Sequence, residues 1–283
     1  MTHNSAETGC LYVVATPIGN LGDMVPRAVE ILQSVALIAA EDTRHSGRLL
    51  SHFSIETPCV AYHDHSDDRR TEALVTRLEQ GESVALISDA GTPLVSDPGY
   101  RLVREARLRG VPVVPIPGAC ALVAALSASG LPSDRFSFEG FPPPKVNARR
   151  QWLERLEKET RTLIFYEAPH RVLACLQDMA EVFGEAREGV LARELTKTFE
   201  TIRLAPLGEL AEFVAGDSNQ QRGEIVLMVA GAPQKSTSGL DDESERVMGI
   251  LVKELPVKQA ATLASQITGV KKNALYQWAL DQK

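Results

Sequence analysis

The chain has 283 residues, 44% apolar and 24% charged, with a net charge of −7. That length suggests two domains with room for a small extra module, and the apolar share fills cores without disulfide or metal staples. The acidic balance gives no whole-chain support for nucleic-acid binding, and no apolar run approaches the roughly 18–20 residues of a membrane span. The first residues, Met-Thr-His-Asn-Ser-Ala-Glu, lack the basic and apolar regions of a signal peptide. Cys10, Cys59, Cys120 and Cys175 lie far apart and read as reduced thiols of a cytoplasmic protein.

Residues 1–10 read as a flexible N-terminus. Short apolar strands then alternate with helical patterns. The strands are Leu11–Ala15, Val35–Ala39, Val84–Ile87 and Val111–Ile116; the helices are Arg27–Ser34, Arg70–Glu79 and Tyr100–Arg109. Near-continuous apolar strands separated by helices imply a parallel sheet covered on both faces, so residues 11–117 are expected to form an N-terminal α/β domain.

A second α/β domain is expected over residues 118–232. Helix Ala119–Ser129 stops at Gly130-Leu131-Pro132, and a charged helix, Asn147–Glu159, follows Pro142-Pro143-Pro144. Strand Thr162–Tyr166, helix Pro169–Phe183, strands Gly189–Arg193 and Thr198–Leu204, helix Leu207–Ala215 and strand Glu224–Val229 complete it. Two strands in succession without a helix make this sheet mixed. The polar run 233–243 reads as a linker. Residues 244–283 read as a helical module in three pieces, broken near Pro256 and Gly269, with six basic and three acidic residues. That local excess is the one charge signal for a polyanionic partner.

Three turns follow strands of the first domain. Thr16-Pro17-Ile18-Gly19-Asn20-Leu21-Gly22-Asp23 is neither a phosphate loop nor a dinucleotide fingerprint. Alone, it serves either a ligand or merely the start of a helix. Ile87 to Gly99 is a long run of small and turn-forming residues that lets a ligand approach the backbone, with Asp89 placed to take ribose hydroxyls or a cationic group. Asp97-Pro98 within it reads as a helix cap and first helical residue. Pro115 to Ala121 is the third turn. Together they favour a ligand cleft at the carboxyl ends of the strands.

Two other stretches hold chemistry-bearing residues. His63-Asp64-His65-Ser66-Asp67-Asp68 looks like a set of metal ligands, but nothing elsewhere completes it, and Ser66 or Asp67 capping the next helix accounts for the acids; no metal is expected. Val257 to Tyr276 has helix-turn-helix spacing, with Gly269 at the turn and Lys271, Lys272 and Asn273 opening the second helix. It reads either as an RNA-holding module or as a packing module.

The stretches V-A-T-P-I-G-N-L-G-D (14–23), A-E-D-T-R (40–44), S-D-A-G-T-P-L-V-S-D-P-G (88–99), P-G-A-C-A (117–121) and G-L-P-S-D-R-F (130–136) carry a resemblance. So do F-Y-E-A-P-H-R (165–171), A-R-E-L-T-K-T-F-E (192–200) and G-E-I-V-L (223–227). In this order they resemble the tetrapyrrole methylase superfamily, and within it the ribosomal RNA small-subunit methyltransferase I family. The resemblance implies an α/β, two-domain tetrapyrrole-methylase-like fold with a parallel-sheet first domain, a mixed-sheet second domain and a small helical C-terminal module.

It also implies S-adenosylmethionine folded in the interdomain cleft against Pro17 or Ile18, Ser88, Asp89, Ala90, Gly91, Thr92, Cys120, Ala121, Tyr166, Leu195 and Glu224. The superfamily's commoner first loop is G-x-G-P-G-D, and this chain departs from it. The implied reaction is methylation of a cytidine ribose 2′-oxygen in the decoding region of 16S rRNA, by a cytoplasmic homodimer acting on RNA or the small ribosomal subunit. The donor is already activated, so no metal is required. Candidate groups for handling the hydroxyl proton are Lys197, Glu167, Glu194, His170 and Glu200, with Lys197 the one expected to orient or deprotonate it. Candidates for RNA contact are Arg44, Arg171, Lys145, Arg149, Arg150, Lys271 and Lys272. Rival readings are a methylase of tetrapyrrole precursors and a non-catalytic, cofactor-binding ribosome assembly protein.

Overall fold

The structure, a computed structural model, describes residues 9–63, 68–233, 240 and 242–281. The chain divides into two compact units, Met1–Gly231 and Ala232–Lys283. Most of the expected N-terminal segment (1–8), residues 64–67 of the histidine–aspartate stretch, and residues 234–239 and 241 of the expected linker lie outside the described residues.

The first sheet holds β1 (Leu11–Val14), β2 (Leu37–Ala40), β3 (Cys59–Ala61), β4 (Val84–Ile87) and β5 (Val113–Ile116), all parallel, in the order β3-β2-β4-β1-β5. Helices α1 (Pro26–Ser34), α2 (Thr43–His52), α3 (Asp68–Glu79) and α4 (Tyr100–Leu108) connect them. Every residue of β2 and β4 is buried, and the pleat divides them between two cores. Leu37, Ala39, Val84 and Leu86 pack with Leu74 and Leu78 of α3 and Leu102 of α4. Ile38, Ala40, Ala85 and Ile87 pack with Ala28 and Leu32 of α1 and Leu50 of α2. Strand order reverses at β1, which lies between β4 and β5. The loops leaving these three strands therefore surround a topological switch point, where open α/β sheets bind ligands.

α2, capped by Asp42, and β3 bury few residues. α2 buries only Ser46 and Leu50, and β3 is a three-residue edge strand whose middle residue is exposed.

The second half contains α5 (Ala121–Ser129), β6 (Phe136–Phe138), α6 (Val146–Glu154), β7 (Thr162–Glu167), α7 (Val172–Phe183), β8 (Glu188–Arg193), β9 (Thr201–Pro206), α8 (Leu207–Gly216) and β10 (Ile225–Val229). Its sheet runs β6-β7-β10-β8-β9, with β6 parallel to β7 and the remaining pairs antiparallel, so it is mixed. One face packs on Leu153 of α6, Leu176 of α7 and Leu207 of α8. The other face packs on α5, whose Leu122, Ala125 and Leu126 join Ile164, Val190, Val226 and Met228. Ile18, from the loop after β1, belongs to this same core and ties the two halves together.

Three boundaries differ from the sequence reading by three residues or more. The charged helix ends at Glu154, Pro169–Arg171 form a separate 3-10 turn before α7, and β9 starts at Thr201. Residues 194–200 are held in successive turns, with Lys197 N donating to Glu194 O and Glu200 N to Lys197 O, so they cannot pair as a strand.

The C-terminal unit packs α9 (Asp242–Glu254), α10 (Val257–Thr268) and α11 (Lys272–Asp281) around Leu240, Met248, Ala260, Ala264, Leu275 and Ala279. Pro256 precedes α10 and Gly269 ends it in a left-handed turn. Among the described residues, no helix is long and apolar enough to cross a membrane.

Candidate active site

The three loops at the switch point are hydrogen-bonded to one another. Thr16 N donates to Gly91 O at 2.8 Å and Gly91 N returns a bond to Thr16 O at 3.0 Å. Gly91 has φ +82°, and a Cβ there would meet Ile18 Cγ2 at 3.3 Å, so the close crossing needs glycine. Thr92 Oγ1 donates to Ala119 O at 3.0 Å, joining the loop after β4 to the loop after β5. From the second sheet, the Tyr166 hydroxyl accepts from Leu122 N at 3.2 Å at the start of α5. Burial and the neighbouring Cys120 push the Tyr166 hydroxyl pKa up, so it remains neutral.

These ties enclose a cavity of about 390 Å³. It brings together Ile18, Asp89, Ala90, Gly91, Thr92, Cys120, Ala121, Tyr166, Leu195 and Glu224. Pro17 and Ser88 are not part of its wall; Ser88 is buried and its carbonyl accepts from Thr16 Oγ1. Glu41, from the strand-end stretch 41–44 that the sequence places beside the cleft, joins Glu167, Ile225 and Val226 in the wall, and the sequence reading did not single out Val95, Ser96, Phe141, Ala168, Pro169 and Gly223, which with Asp97 complete it. Asp97 is a correction. α4 starts at Tyr100 with Gly99 at its cap, and Asp97 borders the cavity instead of capping the helix. Asp89 is tied inward too, its Oδ1 accepting from Asp42 N at 3.0 Å.

Backbone strain collects here. Among the described residues, five that are not glycine have positive φ, and four of them stand in the two cavity loops: Leu94, Ser96, Glu194 and Thr196. Such conformations cost of order 1–3 kcal/mol each and persist where the surroundings over-determine them, typically at ligand sites.

At the loop between β8 and β9, Lys197 Nζ donates to Glu194 Oε1 at 2.9 Å and to Glu224 Oε2 at 3.0 Å. Glu194 Oε1 also accepts from Glu224 N at 3.0 Å. Burial lowers the Lys197 pKa, but the two carboxylates outweigh it and the net shift is upward. For Glu194 burial acts upward, yet the bonds from Lys197 and the Glu224 amide bring it below the ordinary value. Lys197 is thus held between two carboxylates that favour its ammonium form, which suits the orienting half of the expected role better than deprotonation.

Glu167 borders the cavity with its side chain closed to solvent, and Oε1 accepts from Ala168 N at 2.7 Å and Arg171 Nε at 2.8 Å. Oε2 has no donor at hydrogen-bonding distance. The Glu167 carboxylate adds to the upward pKa shift that burial imposes on the Cys175 thiol. His170 is exposed on the 3-10 turn and outside the cavity wall, and Glu200 accepts from Thr196 N at 2.7 Å.

The candidate RNA contacts separate into two groups. Arg149 is 2% exposed and fully engaged with Asp178, so its placement at an RNA-facing surface is corrected. Arg150 bonds the same carboxylate and Glu181, and Arg171 is pinned to Glu167; both guanidinium forks are occupied. Arg44 projects into solvent from the first turn of α2, bonded to the capping Asp42, whose carboxyl it holds down at about 2. Lys145 is exposed just before α6, and Lys271 is exposed at the turn between α10 and α11 with Lys272 half-buried beside it.

A parallel sheet whose strand-end loops close against a mixed sheet around a cavity is the arrangement in which α/β enzymes hold a small ligand. Residues 10–211 match the Tetrapyrrole (Corrin/Porphyrin) Methylases family, and residues 238–283 match the RsmI C-terminal HTH domain. The chain is 61% identical over 279 residues to the ribosomal RNA small subunit methyltransferase I of Pseudomonas aeruginosa, covering 98% of this chain and 99% of that one. It is 56% identical to the protein of that name from Vibrio cholerae, over 96% of this chain and 94% of that one. Its fold is similar to crystal structures of uroporphyrin-III C-methyltransferase from Thermus thermophilus. One has a TM-score of 0.55 at 21% identity, covering 78% of this chain and 94% of that chain. The other, complexed with S-adenyl homocysteine, has a TM-score of 0.53 at 18% identity, over 78% and 97% of the two chains. The chain belongs to the tetrapyrrole methylase family and, within it, to the ribosomal RNA small subunit methyltransferase I family.

Proposed function

We propose that this chain transfers a methyl group from S-adenosylmethionine to the ribose 2′-hydroxyl of a cytidine in the decoding region of 16S rRNA. The observation that carries the reading is the cavity at the switch point, within a chain that matches its relatives over nearly their full length. The wall fits the methyl donor. Backbone and small side chains at Ala90, Gly91 and Ala121 admit close approach, and Glu41, Asp89, Asp97 and Glu224 suit a cationic ligand. When bound, the donor supplies an activated methyl group, so the protein has only to align it with the hydroxyl and manage one proton.

Lys197 acts here as a fixed positive charge that orients the hydroxyl and holds Glu194 and Glu224 in place. Glu224, which borders the cavity, is the carboxylate best placed to receive the proton. Arg44, Lys145, Lys271 and Lys272 are the basic groups left for the RNA backbone. A homodimer belongs to the same reading; sedimentation as a monomer at assay concentrations removes it.

The test is transfer of tritium from labelled S-adenosylmethionine to small ribosomal subunits, or their RNA, from cells lacking the enzyme. Label mapping to an alkali-resistant 2′-O-methylcytidine is the expected result. Calorimetric binding of the donor with no label in RNA overturns it. A chain ending at Gly231 that labels subunits normally takes the C-terminal unit out of the reading.

A further inference from the structure

The cavity wall includes one large apolar ring that the chemistry above does not use. Phe141 is 53% exposed, although it borders the cavity. Its position is fixed from three sides. Gly140 O accepts from Tyr166 N at 2.9 Å, extending the pairing with β7 up to the residue before the ring. Pro142, Pro143 and Pro144 follow, with φ locked by their rings, and Pro142 is buried. The Phe141 ring meets Tyr166 edge-on, centroids 5.7 Å apart at 66°, and Tyr166 meets Phe138 the same way at 4.8 Å. Across the opening stands the strained loop after β4: a Cβ at Gly140 would lie 3.8 Å from Ser96 Oγ.

Single exposed apolar residues are ordinary on protein surfaces, and Phe199 and Tyr100 are more exposed than Phe141. Neither of those two borders the cavity. Phe141 differs in being rigidly mounted with its ring at the cavity, the arrangement that gives stacking at little cost in side-chain order.

We infer that Phe141 is a stacking platform for the base of the nucleotide whose ribose is methylated. This rests on the reading of the substrate as RNA. To present one ribose hydroxyl to the cavity, the nucleotide leaves the stack of its neighbours, and a fixed aromatic edge or face beside the site replaces part of that lost stacking. Every base has a π-face, so the platform supplies affinity and placement rather than the choice of cytosine. Phe141 is a positioning residue: it holds the nucleotide and takes no part in the proton or methyl transfer.

The experiment uses the full-length chain, S-adenosylmethionine and small subunits lacking the modification. Phe141→Ala is expected to raise KM for subunits roughly 5- to 100-fold, the range that loss of one base–aromatic stack implies. That rise is expected to exceed, by at least threefold, any change in kcat at saturation or in the calorimetric Kd for S-adenosylmethionine, the pattern of lost substrate binding. Phe141→Tyr and Phe141→Trp keep a flat ring and restore KM to within about threefold of the parent value. An unchanged KM in Phe141→Ala, or a parallel rise in the Kd for S-adenosylmethionine, overturns the platform while leaving the RNA reading standing. Failure of Tyr and Trp to rescue also overturns it, because a structural role for the loop would then account for the loss. Absence of label with the parent chain sinks the RNA reading and this inference with it.

Discussion

The buried ion pair behind the second sheet separates a structural arginine from an RNA-binding one. Arg149 reaches Asp178 Oδ2 through Nε at 2.6 Å and through its terminal nitrogen at 2.5 Å, and the two side chains are 2% and 4% exposed. Arg150 Nε takes the other carboxylate oxygen at 2.7 Å, but its side chain is 39% exposed. In Asp178→Ala, Arg150 can turn to water or keep Glu181, whereas Arg149 is left as a charge sealed among α6 and α7. Removing one partner of such a pair costs about 3–5 kcal/mol. For a folding unit of this size each kcal/mol lowers Tm by roughly 2–4 °C, so a fall of about 6–20 °C is expected. Arg149→Met leaves Asp178 with Arg150 and fills the space with an apolar chain, so its cost is smaller, about 1–3 kcal/mol. The assay is thermal denaturation of both variants, with methyl transfer to subunits measured at a temperature where each remains folded. A loss below about 1 kcal/mol in Asp178→Ala would show that the pair is hydrated. A large drop in RNA affinity for Arg149→Met at unchanged Tm would return Arg149 to the RNA surface.

Two further outcomes follow from the loop between β8 and β9. Gly223 has φ +81°, and a Cβ there would stand 2.3 Å from Glu194 Cδ, so Gly223→Ala both strains the backbone by about 1–2 kcal/mol and pushes the Glu194 carboxylate away from Lys197. Methyl transfer is expected to fall at least tenfold with a Tm drop of only a few degrees; turnover at the parent rate would contradict the role given to that cluster. The pH response separates a clamped ammonium from a base. Glu194 is shifted below 4.5 and Lys197 above 10.5, so both stay charged between those values. The stability from Glu194 is present above its unfolded value and fades as pH falls through the lowered one. That from Lys197 is present below its unfolded value and fades as pH rises through the raised one. Turnover between about pH 6 and 9 should therefore carry no ionisation that Lys197→Ala or Lys197→Arg removes. A limb that climbs towards pH 10 in the parent and vanishes in both variants would make Lys197 the base after all.

Periodicity and punctuation made much of this fold legible. The four-residue apolar runs of β2 and β4 announce strands covered on both faces, and the succession of β8 and β9 without a helix announces a mixed sheet. Glycine-bearing turns after β1, β4 and β5 located the cavity, because backbone approach depends on the small residues of the turns themselves. β3, a three-residue edge strand with its middle residue exposed, left too faint a pattern.

Charge was where the linear reading failed, and Arg149 and Lys197 show why. A basic residue on a charged helix or in a polar loop looks the same whether it faces water, RNA or a carboxylate. Only the tertiary structure brings Asp178 of α7 against α6, and Glu224, just before β10, against the loop after β8. Phe141 was missed for a related reason: whether an aromatic residue before a proline run lies in the core, on the surface or beside a cavity is set by what comes across from Tyr166 and Ser96. The sequence by itself determined the local conformations and the ends of the strands where a ligand is held, since steric and hydrophobic patterning act between near neighbours. The tertiary structure decided the ionic state and exposure of each candidate side chain, since these depend on partners that are distant along the chain.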